Sequence, residues 1–221
     1  MKSFTDDQHL REEAKVLVRA RDVIVRDRIS LTNILRLYGG ERIPDEVRES
    51  YLLLVKQERA LDRKFREFKN SVPIVEITSR VQGVGSVIAV TLFAEIDIEK
   101  AVTVSSLWRY CGMGIVDGEH ERFGSSGKAS YSPRMKSLCY QVGSSFLRSK
   151  SPYCRIYNRA KSEYSSRGWS YMRVHLASMR KMIKIWLSHL WEVWRRYYGL
   201  DVPSPYYQPK FKLEPSDFGW D

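Results

Sequence analysis

The sequence predicts an all-α fold, in which a helical hairpin or coiled-coil arm precedes a helical domain containing a helix-hairpin-helix. Apolar residues recur at three- and four-residue spacing over long stretches of the chain, which is typical of amphipathic helices. No stretch shows the strong apolar-polar alternation of a half-buried strand. Residues 81–85 read Val-Gln-Gly-Val-Gly and open directly onto an apolar run, which indicates a tight turn between two short helices.

The first predicted element is a helical arm. Residues 8–38 carry one apolar stripe, in which Arg21 and Arg28 occupy two positions. A second helix begins near Pro44, and only Glu58 breaks its stripe. We expect the two helices to fold back as an antiparallel hairpin. The pattern fits an extended arm, an oligomerising coiled coil, or a pair of core helices in a bundle.

Residues 71–96 form the predicted helix-hairpin-helix, with helices Pro73–Arg80 and Ser86–Ile96 on either side of the turn. Glycines let the backbone turn sharply and approach a partner closely. Free N–H groups and the positive end of a helix dipole point outward from the start of the second helix, and a phosphate of DNA or RNA fits there. The residues expected to hold it are Gly83, Val84, Gly85 and Ser86.

Further helices follow this module. A short helix near Ser106 ends at Gly112, and Ile115 to Pro133 forms a long polar loop or small hairpin, the kind of segment that often carries function. Three more helices are predicted, at Arg134–Ser149, Pro152–Ser166 and Tyr171–Tyr198. The expected organisation is an arm at residues 1–70, a helical domain at residues 71–200, and an extended Pro- and aromatic-rich tail at residues 201–221 that packs on a surface or folds upon a partner.

The positive charge is concentrated in one segment. Of a net charge of +11, residues 119–200 supply sixteen Lys and Arg against four Asp and Glu. A segment of one sign favours a polyanionic partner, and nucleic acid fits better than an acidic membrane. The cations expected to contact it are Arg122, Lys128, Arg134, Lys136, Arg155, Arg159, Arg173, Arg180, Lys181 and Lys184.

Aromatic side chains near these cations are further candidates. One predicted helix interleaves Tyr153, Tyr157 and Tyr164 with Arg155, Arg159 and Lys161, and that face is a candidate for nucleic-acid contact. Four tryptophans could stack on bases, but their helical spacing favours packing in the core. They are Trp169, Trp186, Trp191 and Trp194.

Several other classes of function find no support. Three widely spaced cysteines and four histidines show no disulfide framework and no metal-ligand spacing. Glu119, His120 and Glu121 are adjacent in sequence, so their side chains point in different directions. A solvated loop is therefore favoured over acid–base or metal chemistry. Without a signal peptide or a sufficiently long apolar run, we expect a cytoplasmic protein of a prokaryote or of the host of a virus or mobile element, with no membrane partner and no cofactor of its own.

The order of motifs resembles a known family. The segments that carry the resemblance are residues 17–28, 76–96, 108–114, 133–141, 151–157 and 176–183. They are similar to the linker, helix-hairpin-helix and later helices of the bridge-RNA-guided insertion-sequence transposases, the family numbered one hundred and ten. The likeness covers roughly residues 8–200, which correspond to the C-terminal two-thirds of such proteins.

The resemblance implies a two-part active site. In the family, a RuvC-like domain binds Mg²⁺ through four acidic residues, and a serine in a Ser-Ser-Gly motif attacks a DNA phosphodiester. This sequence has no RuvC-like half, so Mg²⁺ is expected only if a separate RuvC-like protein supplies it. Ser125-Ser126-Gly127 is the one Ser-Ser-Gly here, and it lies further from Gly112 than the family pattern would put it. Either Ser125 or Ser126 is the nucleophile, or both belong to an ordinary Gly/Ser loop.

Two classes of function therefore remain. The first is a binding protein related to transposases and recombinases of mobile elements. It would hold DNA or structured RNA through sequence-independent backbone contacts, as a homo-oligomer assembled through residues 8–70. The second is a serine-nucleophile strand-transfer enzyme that needs a RuvC-like metal domain in trans. The first is favoured, because a serine without that domain loses most of its transition-state stabilisation. A purely structural nucleoprotein assembly factor is a weaker third reading.

Overall fold

Helices dominate the computed structural model, which describes residues 7–39, 43–116, 119–120, 130–203 and 214–220. The helices are α1 Gln8–Tyr38, α2 Asp45–Ser71, α3 Pro73–Arg80, α4 Ser86–Glu95, α5 Val104–Tyr110, α6 Pro133–Ser149, α7 Cys154–Ser165 and α8 Tyr171–Tyr197. Two-residue strands, β1 Ile115–Val116 and β2 Glu119–His120, pair antiparallel, and Pro215–Phe218 forms a short 3₁₀ turn. The all-α prediction is confirmed, and the small strand pair lies in the segment where the sequence predicts a long polar loop or small hairpin.

Helix α8 organises the core. One side of it buries Trp186 and Trp194 completely, and α8 packs against α3, α5, α6 and α7. The indole N–H of Trp194 donates to Thr78 Oγ1 at 2.8 Å, and that of Trp191 donates to the carbonyl of Ala101 at 2.6 Å. The indole N–H groups of Trp194 and Trp191 are thus satisfied, whereas the buried indole N–H of Trp186 has no hydrogen-bond partner among the described residues. The predicted core position of these three tryptophans is confirmed.

Helices α1 and α2 form the predicted antiparallel pair. The polar interruptions of the two apolar stripes meet each other: Glu58 pairs with Arg28 and, at 3.3 Å, with Arg21. Arg21 also lies 2.8 Å from Asp62. Near the open end of the hairpin, Ala14, Val18, Phe65 and Phe68 are buried in the same apolar core that α4 and α8 fill. The base of the arm is therefore part of the main core.

Two buried arginines tie chain segments together. Arg11 donates to the carbonyls of Phe93 and Ile96 at the C-terminal end of α4, where carbonyls lack intrahelical partners and the dipole is negative. Arg195 donates to the carbonyls of Ile98 and Asp201. These two positive charges fix the segment that follows α4.

The described end of the tail packs inside the molecule, where the sequence predicts an extended segment on a surface or a partner. Phe218 and Trp220 are buried. The ring of Phe218 stacks on Tyr153 with centroids 4.5 Å apart, and Trp220 donates to the Tyr153 hydroxyl at 2.7 Å. Because aromatic residues bury large apolar areas, this turn is held to α7 by side-chain packing.

The arm network generates a stability prediction. Replacing Glu58 with alanine leaves Arg28 half-buried without a carboxylate and weakens the hold on Arg21, so the free energy of unfolding should fall by about 1–2 kcal/mol. Glu67→Ala on the same helix is the control, because the Glu67–Lys64 pair is exposed and such pairs add little. Urea unfolding of the two variants measures the difference. Equal midpoints for both would contradict a structural role for the network.

Candidate nucleic-acid interface

The glycine turn between α3 and α4 is a closed, ordered bend. Val81 and Val84 are buried on either side of it, and the Val84 N–H donates to the Val81 carbonyl at 2.8 Å. Gly83 has φ +98°, a conformation that side chains with a Cβ rarely adopt. The bend thus needs glycine at position 83, and Val84 serves the core.

Gly83 makes its close approach to α6. A Cβ at this position would lie 2.8 Å from the Phe146 ring and 2.9 Å from Ser149 Oγ. The neighbouring Gln82 side chain donates to the Ser149 carbonyl at 2.6 Å. The sequence predicts that Gly83 approaches an external partner, whereas here the space that glycine leaves is filled by this chain.

Gly85 differs from Gly83. It is exposed, and a Cβ built on it would meet nothing within 4 Å. It occupies the N-cap position of α4, where no side chain accepts a hydrogen bond from the first turn. Half-buried Ser86 is the first helical residue. The start of α4 therefore has the open amide end that suits an anion.

A groove is lined in part by Ile88 of α4. Its cavity volume is about 440 Å³. Its lining residues are Ile88, Ser137, Tyr140, Gln141, Ser144, Ser145 and Arg148. Most belong to one face of α6, and the lining offers hydroxyl groups, an amide and one cation with no carboxylate. Side chains of these types make most contacts to phosphate and sugar.

A second concavity, the aromatic–cationic cleft, lies between α5, α7 and α8. Its volume is about 380 Å³. Its lining residues are Trp108, Ile115, Tyr164, Arg167, Trp169, Ala177, Arg180, Lys181, Lys184 and Ile185. The α8 members recur at three- and four-residue spacing, which places them on one helix face. Four of the lining residues are cationic and none is acidic.

Two of these cations have no carboxylate partner among the described residues. They are Arg180 and Lys184. Burial lowers the pKa of Arg180 to about 10, so its guanidinium stays charged at neutral pH. Burial, followed by the nearby Arg180 charge, also lowers the pKa of Lys184. Placing desolvated like charges side by side costs free energy unless an anion joins them.

The other two cations share an acid at the edge of the cleft. Glu163 lies 3.0 Å from Lys181 and 2.7 Å from Arg167. The hydrogen bond from Lys181 lowers the pKa of the Glu163 carboxyl, and the charges of Lys181 and Arg167 lower it further. This exposed carboxylate thus offsets part of the positive field on the α7 side.

Aromatic rings form the walls of the cleft. Tyr164 and Trp169 stack with centroids 5.3 Å apart. Across α8, Trp108 is fixed by an indole hydrogen bond to the Lys184 carbonyl at 3.0 Å. Long cations lie over these rings: Lys184 Nζ is 3.9 Å from the Trp108 centroid, and the Arg173 guanidinium is 4.3 Å from that of Trp169. Trp169, unlike the other three candidate tryptophans, is only half-buried.

The groove and the cleft adjoin each other. Tyr140 lines the groove, and its hydroxyl accepts a hydrogen bond from Arg180, which lines the cleft, at 3.3 Å. The other terminal nitrogen of Arg180, Nη1, is buried and has no hydrogen-bond partner in the described part of the chain. The groove thus touches α4 through Ile88 and the cleft through Tyr140.

Three predicted clamps are engaged within the protein. Arg134 pairs with Asp22 and, at 2.9 Å, with Glu95. Lys136 packs over Gly112 and places its Nζ 4.2 Å above the Tyr131 ring. Arg155 donates to the carbonyl of Asp217 at 3.2 Å and so holds the tail. We leave all three out of the interface.

The predicted Tyr/Arg face of α7 does not form. Tyr153 and Tyr157 are buried, and only Tyr164 reaches the cleft. Arg159 remains exposed on this helix. The alternation cannot lie on one helix face, because residues that face one another recur every three or four positions.

Four predicted site residues lie outside the described residues: Ser125, Ser126, Arg122 and Lys128. Within the described ranges, no group of three or more His, Cys, Asp or Glu side chains is placed to hold a metal ion. No helix there has the length and apolarity needed to cross a bilayer. A scan against protein-family models finds no match for this chain, and neither does a search among curated proteins.

Gly83 provides a test of the turn. Gly83→Ala forces a Cβ against Phe146 at a positive φ, and the free energy of unfolding should fall by about 1–3 kcal/mol. Thermal melts followed by circular dichroism measure the change. Gly85→Ala is the matched control and should melt close to the wild-type temperature. Equal loss in both would mean that the two glycines have the same role.

Glu163 provides a test of the cleft's charge. Glu163→Gln releases Lys181 and Arg167 without changing side-chain size, so nucleic-acid affinity should rise by about two- to fivefold at moderate salt. Fluorescence anisotropy with a labelled oligonucleotide measures it. The control is Glu12→Gln, which frees Lys15 outside both the groove and the cleft and should leave affinity unchanged. Unaltered or weaker binding by Glu163→Gln would argue against this cleft.

Proposed function

We propose that this chain is a nucleic-acid-binding protein that holds DNA or structured RNA through sequence-independent contacts to the backbone. The observation that carries the proposal is the pair Arg180 and Lys184. The fold brings these partly buried cations together in a concave site and gives neither a carboxylate within the described residues. A phosphate supplies the missing negative charge, and an arginine fork can bind it through two hydrogen bonds.

The surrounding surface supports a strand rather than a single small anion. The proposed path of the strand runs from the amide end of α4 at Gly85, through the hydroxyl-lined groove with Arg148, to the cleft. Ile88 of α4 lines the groove, and Tyr140 of the groove is hydrogen-bonded to Arg180 of the cleft. Successive phosphates of a polynucleotide can occupy such a series of sites. The groups along this path suit phosphate and sugar, which is why we propose binding with little dependence on sequence.

The relationship to transposases and recombinases of mobile elements is part of the same proposal. It rests on the order of the motifs from the helical linker to α8 and on the charge balance of residues 119–200. Enzymatic strand transfer is not included, because both candidate nucleophiles, Ser125 and Ser126, lie outside the described residues.

We further propose that the protein assembles as a homo-oligomer through residues 8–70. The outer faces of α1 and α2 expose large apolar side chains, and contiguous exposed apolar surface is typical of interaction sites. These side chains are Val16, Val23, Ile29, Ile34, Leu37, Tyr38, Leu52 and Leu53. A coiled-coil contact between arms would cover such a stripe.

The decisive variant is Gly85→Asp. An aspartate at an N-cap stabilises a helix, so the melting temperature should hold or rise. Its carboxylate occupies and repels the phosphate position, and affinity for a duplex of about 20 base pairs should fall roughly tenfold. Gly85→Asn is the matched control, since it caps the helix without negative charge and should bind like wild type.

Salt dependence completes this experiment. With five cations on the path and Glu163 offsetting one of them, wild-type affinity should drop by about a hundredfold between roughly 50 and 200 mM salt. Absence of binding to both DNA and RNA at low salt would refute the proposed function. Full affinity in Gly85→Asp would remove the start of α4 from the interface.

A further inference from the structure

We propose that the aromatic–cationic cleft receives an unpaired nucleobase, so that the preferred ligand is single-stranded or locally unpaired nucleic acid rather than a closed duplex. This inference rests on the proposed function and adds a ligand class to it. Backbone binding needs cations alone, and the start of α4 and the groove could supply it. The cleft adds half-buried aromatic rings to the cations, and rings of this kind bind the faces of bases.

The cleft can hold one nucleotide. Its volume of about 380 Å³ lies within the roughly 300–1,000 Å³ that small-ligand sites occupy. Its lining contains the apolar residues Ala177 and Ile185 together with four cations. A lining that combines apolar and cationic groups suits a molecule that has an aromatic plane and a phosphate.

The ring faces are covered in the free protein by side chains that can leave. Arg173 lies over Trp169 and Lys184 lies over Trp108, and both are long, flexible chains. A cation over a partly exposed ring is held more weakly than a stacked base. A base can therefore replace the cation on the ring, while the displaced cation turns to the phosphate of the same nucleotide.

Trp169 is the better placed of the two rings. Tyr164 stacks on Trp169 and supports it from one side, so two stacked rings form this wall of the cleft. Trp169 is also outside the main apolar core, in the connection between α7 and α8. The buried Nη1 of Arg180 supplies a donor for a base edge or a phosphate oxygen, since it has no hydrogen-bond partner among the described atoms.

Duplex geometry favours unpaired nucleic acid in this site. In a closed duplex each base face is already stacked on its neighbours, and a base reaches a protein ring only after it leaves the stack. A single strand has no pairing to lose. The cleft thus distinguishes unpaired from paired nucleic acid by whether a base face is accessible. This distinction does not depend on the base sequence.

The experiment compares two labelled strands of about 12 nucleotides that carry the same phosphates, one with normal bases and one built from abasic sugars. Wild-type protein should bind the abasic strand about tenfold more weakly, since one stacked base is lost. This comparison uses the intact protein and requires no mutation. Both DNA and RNA strands with bases are measured, because both present the same base faces.

The variant Trp169→Ala should lose about tenfold on the strand with bases and nothing on the abasic strand or on a closed duplex. Trp169→Phe keeps a ring and should restore most of the affinity. Tyr171→Ala removes an exposed aromatic that does not line the cleft and serves as the matched control. Circular dichroism establishes that each variant is folded, and the wild-type comparison of strands decides the matter if Trp169→Ala is not.

The outcomes separate the two proposals. Equal wild-type affinity for the strands with and without bases overturns base capture, while salt-dependent binding to both leaves the proposed function standing. A folded Trp169→Ala protein that keeps the preference for bases also overturns it. If neither strand nor the duplex binds at low salt, the proposed function fails and base capture fails with it.

Discussion

Helix α8 imposes the constraint on which the rest of the structure depends. Its apolar face, which includes Trp186 and Trp194, must be buried, and this burial fixes the rotation of the helix about its axis. The rotation of the helix then determines which way the side chains on its opposite face point. Arg180 and Lys184 are set beside α5 and α7 as a consequence of core packing. The same hydrophobic burial that stabilises the fold therefore holds cations where no carboxylate of the described chain neutralises them.

The local structure was largely predictable, because its signals are local. Helix α3 starts at Pro73, which suits a first helical position, and ends before the turn that Gly83 requires. The arm followed from stripes whose interruptions, Arg28 and Glu58, pair with each other. Each of these features depends on residues close in sequence or on a simple antiparallel alignment. The helices from α1 to α8 lie close to their predicted bounds for this reason.

The roles of individual cations could not be predicted in the same way. Arg134 and Arg180 are the same residue type in the same basic segment. One faces Asp22 on α1 and the other faces a tyrosine hydroxyl, and only the folded chain decides which acid is near. Gly83 and Gly85 likewise share a turn, yet Gly83 faces α6. Such differences depend on which residues pack together across long sequence separations, and these contacts cannot be predicted from residue type or spacing.

The groove and the cleft differ in how far their lining residues could have been predicted from the sequence. The groove on α6 was missed, although serines, a glutamine and Arg148 recur there at helical spacing. The cleft collects Trp108, Tyr164 and Trp169 from α5, α7 and a connection, so no single segment contains its pattern. The expected tyrosine face of α7 failed because Tyr153 and Tyr157 face the core. A helical wheel places all three tyrosines on one face of this helix, so it could not have separated Tyr164 from the other two.

The most direct test is to map where a bound strand touches the protein. A strand carrying 5-iodouracil can be irradiated in the complex, since that base links covalently to adjacent aromatic side chains, and the adducts can be located by peptide mass spectrometry. The account predicts adducts on Trp169, Tyr164 or Trp108, or on Tyr140 in the groove. Adducts confined to the arm helices α1 and α2, under conditions where the strand binds, would contradict it.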